Sequence, residues 1–311
     1  LEEFRYSHQV DDVIIVGGSY AGISAALTLG IAGRSVVVID SGKSGNNNQH
    51  IIRNFYAHDG DPAFLVAKKA KQQLLKYENV RYAYDKVVDI RKEAEAFIIL
   101  TKLGSTFRAK KIIGATGIID KMLLIQGFTE CWGFSIFQNI YFGGNEIRQS
   151  NNIGILANGQ EAMRIIEMIY HWKKNIYVFT NGKVGFSIND MSHFKIKGIQ
   201  VIENKITLLQ HNKGKIQEVL CSDKSIYRVE VMIAKVPFIQ STDIFKQLGC
   251  VQTPDGLIQV DLYQQTSING VYAAGDNCNV IRSISSSIAA GTNAGMYVNK
   301  ALADTFRKSE I

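Results

Sequence analysis

Proline is nearly absent, three residues in a chain of 311, too few for a Pro-rich linker or a hinge-rich array. Cysteine is scarce as well. Cys131, Cys221, Cys250 and Cys278 are spaced neither as a close pair nor as metal ligands, so the default is structural thiols and no metal. No apolar run reaches the ~20 residues that span a bilayer, and the charged opening LEEFRYSHQVDD lacks the apolar core of a signal peptide. The expectation is a cytoplasmic protein off the membrane, with Leu1 in place of Met pointing to a trimmed start. Basic residues exceed acidic ones to a formal charge of +7, but they stand in short separated groups: Lys68, Lys69 and Lys71; Arg108, Lys110 and Lys111; Lys173 and Lys174. No stripe suits a nucleic-acid backbone, and none is expected as a partner. The charge either keeps the protein dispersed or draws a small acidic partner.

Glycine, by contrast, is plentiful at 27 residues, beside an apolar share of 46%. Tight turns between buried strands and helices follow, and the length allows two domains, so an α/β fold is expected. Comparing the chain with itself shows how it is organised. VIIVGGSYAGISAALTLGIAGRSVVVID, from Val13, matches IGILANGQEAMRIIEMIYHWKKNIYVFT, from Ile153, at constant offset and without a gap. Each copy reads as strand, glycine turn, helix and strand, the unit that holds a dinucleotide pyrophosphate at a helix N-terminus.

In the first copy Gly17, Ser19 and Gly22 fill the three slots of the G-x-G-x-x-G fingerprint, for the tight turn, the close backbone approach and helix packing. Ser19 is small and its hydroxyl can bond phosphate, Gly18 keeps the loop permissive, and Ala21 falls inside the same turn. Asp40 ends the second strand, at the spacing of an acid that accepts from a ribose hydroxyl and repels a 2′-phosphate. That fits the ADP half of FAD. In the second copy the slots hold Ala157, Gly159 and Ala162, with Asn158, Gln160 and Glu161 among them. Thr180 stands where the acid would be, so nothing excludes a 2′-phosphate and Lys183 can pair with one. NADPH is favoured over NADH, set against the reading that this copy is a scaffold that has lost its nucleotide.

KIIGATG, ending at Gly117, and TSINGVYAAGDN, ending at Asn277, follow GGSYAG in the chain. In that order they resemble the FAD-contact motifs of the low-molecular-weight thioredoxin reductases, within the pyridine nucleotide-disulfide oxidoreductases. The resemblance implies an α/β fold of two Rossmann-like dinucleotide-binding domains, the second inserted in the first. Residues 1–118 and 242–311 would form a discontinuous FAD domain, and 119–241 an inserted NAD(P)H-binding-like domain. It implies FAD contacts at Ala115, Thr116, Gly117, Gly275 and Asp276, then at Ser286, Ile288 and Ala289 on a helix whose N-terminus points at the flavin. Ser283, Ser285 and Ser287 can cap or contact there, and Ala290 and Gly291 allow close approach. A homodimer is implied too.

The departure lies in the chemistry. Those reductases carry C-x-x-C before the second fingerprint, because their flavin passes two electrons to a disulfide. Here the stretch is NIYFGGNE, with Asn139 and Phe142 in the cysteine slots. Upstream, Cys131, Trp132 and Gly133 resemble the C-W-G of some relatives, but Cys131 has no resolving partner nearby. Catalytic residues stay unassigned, and His58 in NFYAHDGDP reads as a loop histidine. The expected function is an FAD-dependent, NAD(P)H-fed oxidoreductase that passes electrons directly to an unknown acceptor: a small acidic redox protein, a quinone or other organic molecule, or oxygen. The alternative is an FAD-binding redox sensor or interaction protein with a degenerate nicotinamide site.

Overall fold

The computed structural model describes residues 6–43, 51–173 and 175–308, with side chains described for 9–43, 51–173 and 175–304. Lys174, one of the basic residues named above, lies outside them. The chain opens with β1 (Tyr6–Val16), α1 (Tyr20–Ile31), β2 (Val36–Asp40), α2 (Ala63–Leu74) and β3 (Val80–Tyr84), then β4 (Val87–Glu93), β5 (Ala96–Thr101), β6 (Thr106–Gly114) and β7 (Ile118–Asp120). A middle section follows, of α3 (Phe128–Cys131), β8 (Ile136–Phe137), α4 (Ile140–Gln149), β9 (Ile153–Leu156), α5 (Gly159–Ile169), β10 (Ile176–Phe179) and α6 (Ile188–Ile196). It continues through β11 (Gln200–Ile202), β12 (Ile206–Asn212), β13 (Lys215–Cys221), β14 (Ile226–Arg228) and β15 (Val231–Ala234). The last elements are β16 (Phe238–Gln240), α7 (Ile244–Gln247), β17 (Val271–Ala273) and α8 (Ile284–Lys308).

These elements form two compact units, Leu1–Asn47 with Pro62–Ile119 and Phe238–Ile311, and Asn48–Asp61 with Asp120–Pro237. In the first unit one sheet runs β3-β2-β1-β6-β5-β4, with β17 also paired to β6. Strands β3, β2, β1, β6 and β17 are parallel, while β4 and β5 form an antiparallel extension. The apolar run of β1 is buried on both faces, as a central parallel strand must be. Val13 and Ile15 pack into one core with α1 and α8, and Ile14 and Val16 into another with Phe97, Phe107 and Phe245. Each such side chain, fully buried, contributes about 1.5–3 kcal/mol. Helices α1 and α8 approach closely because α8 is glycine where it crosses: a Cβ at Gly291 would lie 2.2 Å from the Ala21 carbonyl oxygen.

The second unit repeats the plan. Its parallel sheet runs β11-β10-β9-β15-β8, so the order around β9 copies that around β1. In both units the fingerprint turn leaves the carboxyl end of a central strand, where open α/β sheets bind ligands. A three-stranded antiparallel sheet, β12-β13-β14, completes this unit, and its apolar face shares a core with Phe128, Cys131 and Trp132. The fold is thus α/β with two Rossmann-like units, as the repeat predicts. One assignment needs correction: a first domain running unbroken to residue 118 is not what forms. The described residues 51–61 group with the second unit, where Arg53 Nη2 donates to Glu146 Oε1 of α4 at 2.9 Å.

Candidate functional site

The turn between β1 and α1 is fixed by its neighbours. The Gly17 amide donates to the Ile39 carbonyl at 2.9 Å, and the Ala115 amide to that of Val16 at 2.8 Å. Gly17 takes φ +107°, and a Cβ there would stand 2.2 Å from the Ala115 carbonyl oxygen. A Cβ on Gly22 would lie 1.9 Å from the Gly17 carbonyl oxygen, so the third slot is closed to any other residue by backbone. Ser19 is the exposed N-cap of α1, makes no side-chain capping bond, and no acid follows in the first turn. The leading N–H groups of α1 are therefore left for an anion.

Gly18 has a different role from the permissive one its sequence suggests. It does not take a positive φ. A Cβ there would meet the Tyr82 hydroxyl at 2.2 Å and Asp40 Cβ at 2.9 Å. The glycine makes room for Asp40, half-buried at the end of β2, whose Oδ2 accepts from the Tyr82 hydroxyl at 2.7 Å.

The Ala115, Thr116 and Gly117 segment runs beside this turn, with the Thr116 carbonyl accepting from Ser241 Oγ at 2.7 Å and Gly117 at φ +67°. On its other side Gly275, at φ +94°, would bring a Cβ within 3.0 Å of Ala21 Cβ. The structure thus gathers Gly17, Ala21, Gly22, Ala115 and Gly275 around one turn. Asp276 Oδ1 accepts from Ser287 Oγ at 3.2 Å, and Oδ2 lies 3.8 Å from Nε of Arg282, whose side chain is 11% exposed. Ser283 caps α8: its Oγ accepts from the Ser286 amide at 3.1 Å, while the Ser286 hydroxyl accepts from Asn279 Nδ2 at 2.8 Å. The Ile288 carbonyl accepts from Ser24 Oγ at 2.9 Å, tying α8 to α1, and Ala289 is exposed. Asn277 is fully buried, donating from Nδ2 to the Gly114 carbonyl at 2.9 Å, while its Oδ1 has no hydrogen-bond partner among the described residues. Sequence reasoning missed Tyr82, Arg282 and Asn277. Of these only Asn277 lay in a recognised motif, as its last residue.

The second turn is built otherwise. Asn158 caps α5: its Oδ1 accepts from the amides of Gly159 and Gly185, both at 2.8 Å, and its Nδ2 donates to the Lys183 carbonyl at 2.9 Å. Gly159 sits at φ +52°. Glu161, in the first turn of α5, lies 3.4 Å from Lys235 Nζ and 3.9 Å from Arg164. Gln160 is exposed and Ala162 buried. Thr180 turns its hydroxyl onto the Gly182 carbonyl at 2.6 Å, and Lys183 is exposed. This helix start already holds a capping amide and a carboxylate of its own, unlike that of α1.

At the cysteine slots, Asn139 is the N-cap of α4, accepting from the amides of Tyr141 and Phe142 at 2.9 and 3.2 Å, and Phe142 packs against the sheet core. All four cysteines are free. Burial pushes each thiol up: Cys131 to about 11 and Cys278 to about 12, the latter helped by the charge of Asp276, with Cys221 and Cys250 raised as well. His58 Nδ1 lies 2.8 Å from Asp61 Oδ2 within its own loop.

Comparison with known proteins agrees with this geometry. Residues 11–151 and 188–291 match the profile of the family described as pyridine nucleotide-disulphide oxidoreductase. The thioredoxin reductase tcpT of Claviceps purpurea is 29% identical over 94% of this chain and 94% of its own. A ferredoxin–NADP reductase of Acholeplasma laidlawii is 22% identical over 85% of each. The crystal structure of an oxidoreductase from Agrobacterium tumefaciens superposes with a TM-score of 0.87 at 26% identity, covering 95% of this chain and 99% of that one. The cradle of Gly17 and Gly22 and the uncapped start of α1 fit the FAD that this family uses.

Proposed function

The chain belongs to the pyridine nucleotide-disulphide oxidoreductase family, as a flavin-dependent enzyme, and on that premise we propose that its electrons pass directly to an external acceptor, with no protein disulfide between. The observation that carries this is the state of the sulfur. No two cysteines form C-x-x-C, and the slots hold a capping asparagine and a half-buried phenylalanine packed against the core. A thiol raised well above neutrality is protonated, and the thiolate is the nucleophile in disulfide exchange.

FAD, when bound, supplies two-electron exchange with a nicotinamide. Gly17, Gly18, Ser19, Ala21 and Gly22 with Ala115, Thr116 and Gly117 would hold its pyrophosphate, the N–H groups of α1 facing the anion. Asp40 would accept from the ribose. Asp276, oriented by Ser287 and Arg282, would serve the flavin half together with Gly275 and the start of α8. Asn158, Gly159, Gln160, Glu161, Ala162 and Thr180 form the proposed NAD(P)H site, and exposed Lys183 favours a 2′-phosphate. For the acceptor we favour a small acidic redox protein, given the charge of +7 and a relative named for ferredoxin. A homodimer is part of the proposal, and the free thiols suit the cytoplasm.

A second reading is favoured by one observation. Asn158 and Glu161 place an amide and a negative charge at the α5 start, where a pyrophosphate would otherwise bind. An FAD-binding sensor with a degenerate nicotinamide site would be built this way. Anaerobic addition of NADPH and of NADH separates the two: bleaching by either supports the enzyme, and a flavin reduced only by dithionite supports the sensor.

A further inference from the structure

The FAD reading leaves unexplained a cluster beside Asp40. A carboxylate at the end of a strand has free rotamers, and to serve a ribose diol it must be held in one of them. On β3, Tyr82 points its hydroxyl at Asp40 Oδ2, 2.7 Å away, leaving Oδ1 without a hydrogen-bond partner among the described residues. The room for this contact comes from Gly18, where a Cβ would collide with the same hydroxyl. The Tyr82 ring is itself held. Lys71 Nζ lies 3.4 Å from its centroid and 3.6 Å from that of Tyr84, and also donates to the Tyr84 hydroxyl. Such cation–π contacts fix an aromatic ring.

Resting on the reading that the first turn binds FAD, we propose that Tyr82 is a positioning residue for the adenosine ribose, holding Asp40 with Oδ1 presented to the sugar. Gly18 and Lys71 hold Tyr82 in turn. Burial and the neighbouring Asp40 carboxylate both raise the Tyr82 phenol, which keeps it protonated as a donor near neutral pH. Gly18, between the first two fingerprint slots, therefore serves an internal contact, and Lys71, one of the scattered basic residues, acquires a role.

Purified holoprotein is diluted, and free flavin is read by fluorescence to obtain the FAD dissociation constant. Tyr82→Phe, which keeps the ring and its stacking, should weaken FAD binding about tenfold, as expected of an outer partner that orients a ligand. Asp40→Ala should weaken it as well, and the double variant should bind no more weakly than Asp40→Ala alone. The urea midpoint of flavin-free Tyr82→Phe should equal that of the wild type. Binding by Tyr82→Phe within twofold of wild type, additive losses in the double variant, or a lowered urea midpoint would each overturn the proposal. Wild-type protein that holds no FAD would instead overturn the reading beneath it.

Discussion

Gly22 carries the tightest constraint of the first fingerprint, since the atom a side chain would meet is backbone and cannot swing away. Gly22→Ala should destabilise the chain by about 3 kcal/mol, at the upper end of overpacking costs, and purify with less FAD, measured by thermal melting and the flavin-to-protein absorbance ratio. Asp12 gives a prediction in pH. Burial alone would raise it, but hydrogen bonds from Lys110 and the Ser35 backbone, with the charges of Lys110 and Arg34, hold its carboxyl below the ordinary 3.8. A lowered folded value stabilises above 3.8 and is lost as pH falls through it. Asp12→Asn should therefore cost about 1 kcal/mol or less at pH 7 after solvent screening, with the gap closing below pH ~4 in urea melts. Gly17 and Gly22 are legible from spacing because local geometry demands glycine there. Tyr82 is not, because its partner is 42 residues away and no local pattern announces it.

The two copies of the βαβ element differ at the start of their helices. Helix α1 begins uncapped and without an acid, while α5 begins with Asn158 bonded to its own turn and to the 183–185 loop. Asn158→Ala should lower stability by about 1 kcal/mol, the worth of a cap, and speed deuterium exchange at the Gly185 amide; unchanged exchange there would mean the contact does not hold the loop. The strands and helices of both copies can be read from the repeat, since buried runs and helical spacing survive substitution. The cap at α5 is harder to read, because it depends on where a distant loop comes to lie. Asn139 differs: its cap bonds the nearby amides of Tyr141 and Phe142, yet sequence shows it as a missing cysteine and the structure shows it as the N-cap of α4.

At the scale of the whole molecule, two βαβ units were legible from the repeat, and insertion of one unit in the other was what the resemblance carried by GGSYAG, KIIGATG and TSINGVYAAGDN implied. The grouping of residues 51–61 with the second unit was not legible, since it depends on contacts such as that of Arg53 with Glu146, distant in the chain. The charge of +7 bears on the acceptor. If that acceptor is a small acidic protein, kcat/KM for it should fall steeply between 50 and 500 mM salt, roughly the range over which the Debye length contracts from about 14 to 4 Å. With a neutral quinone it should barely change, which stopped-flow measurements in parallel would show. The central claim is that flavin alone holds the electrons in this chain. It is tested most directly by anaerobic titration of the holoprotein with NADPH, followed by flavin absorbance. The account predicts complete bleaching at one equivalent of NADPH per FAD, because two electrons fill the only carrier. A requirement for two equivalents would reveal a protein disulfide taking the second pair and would contradict it.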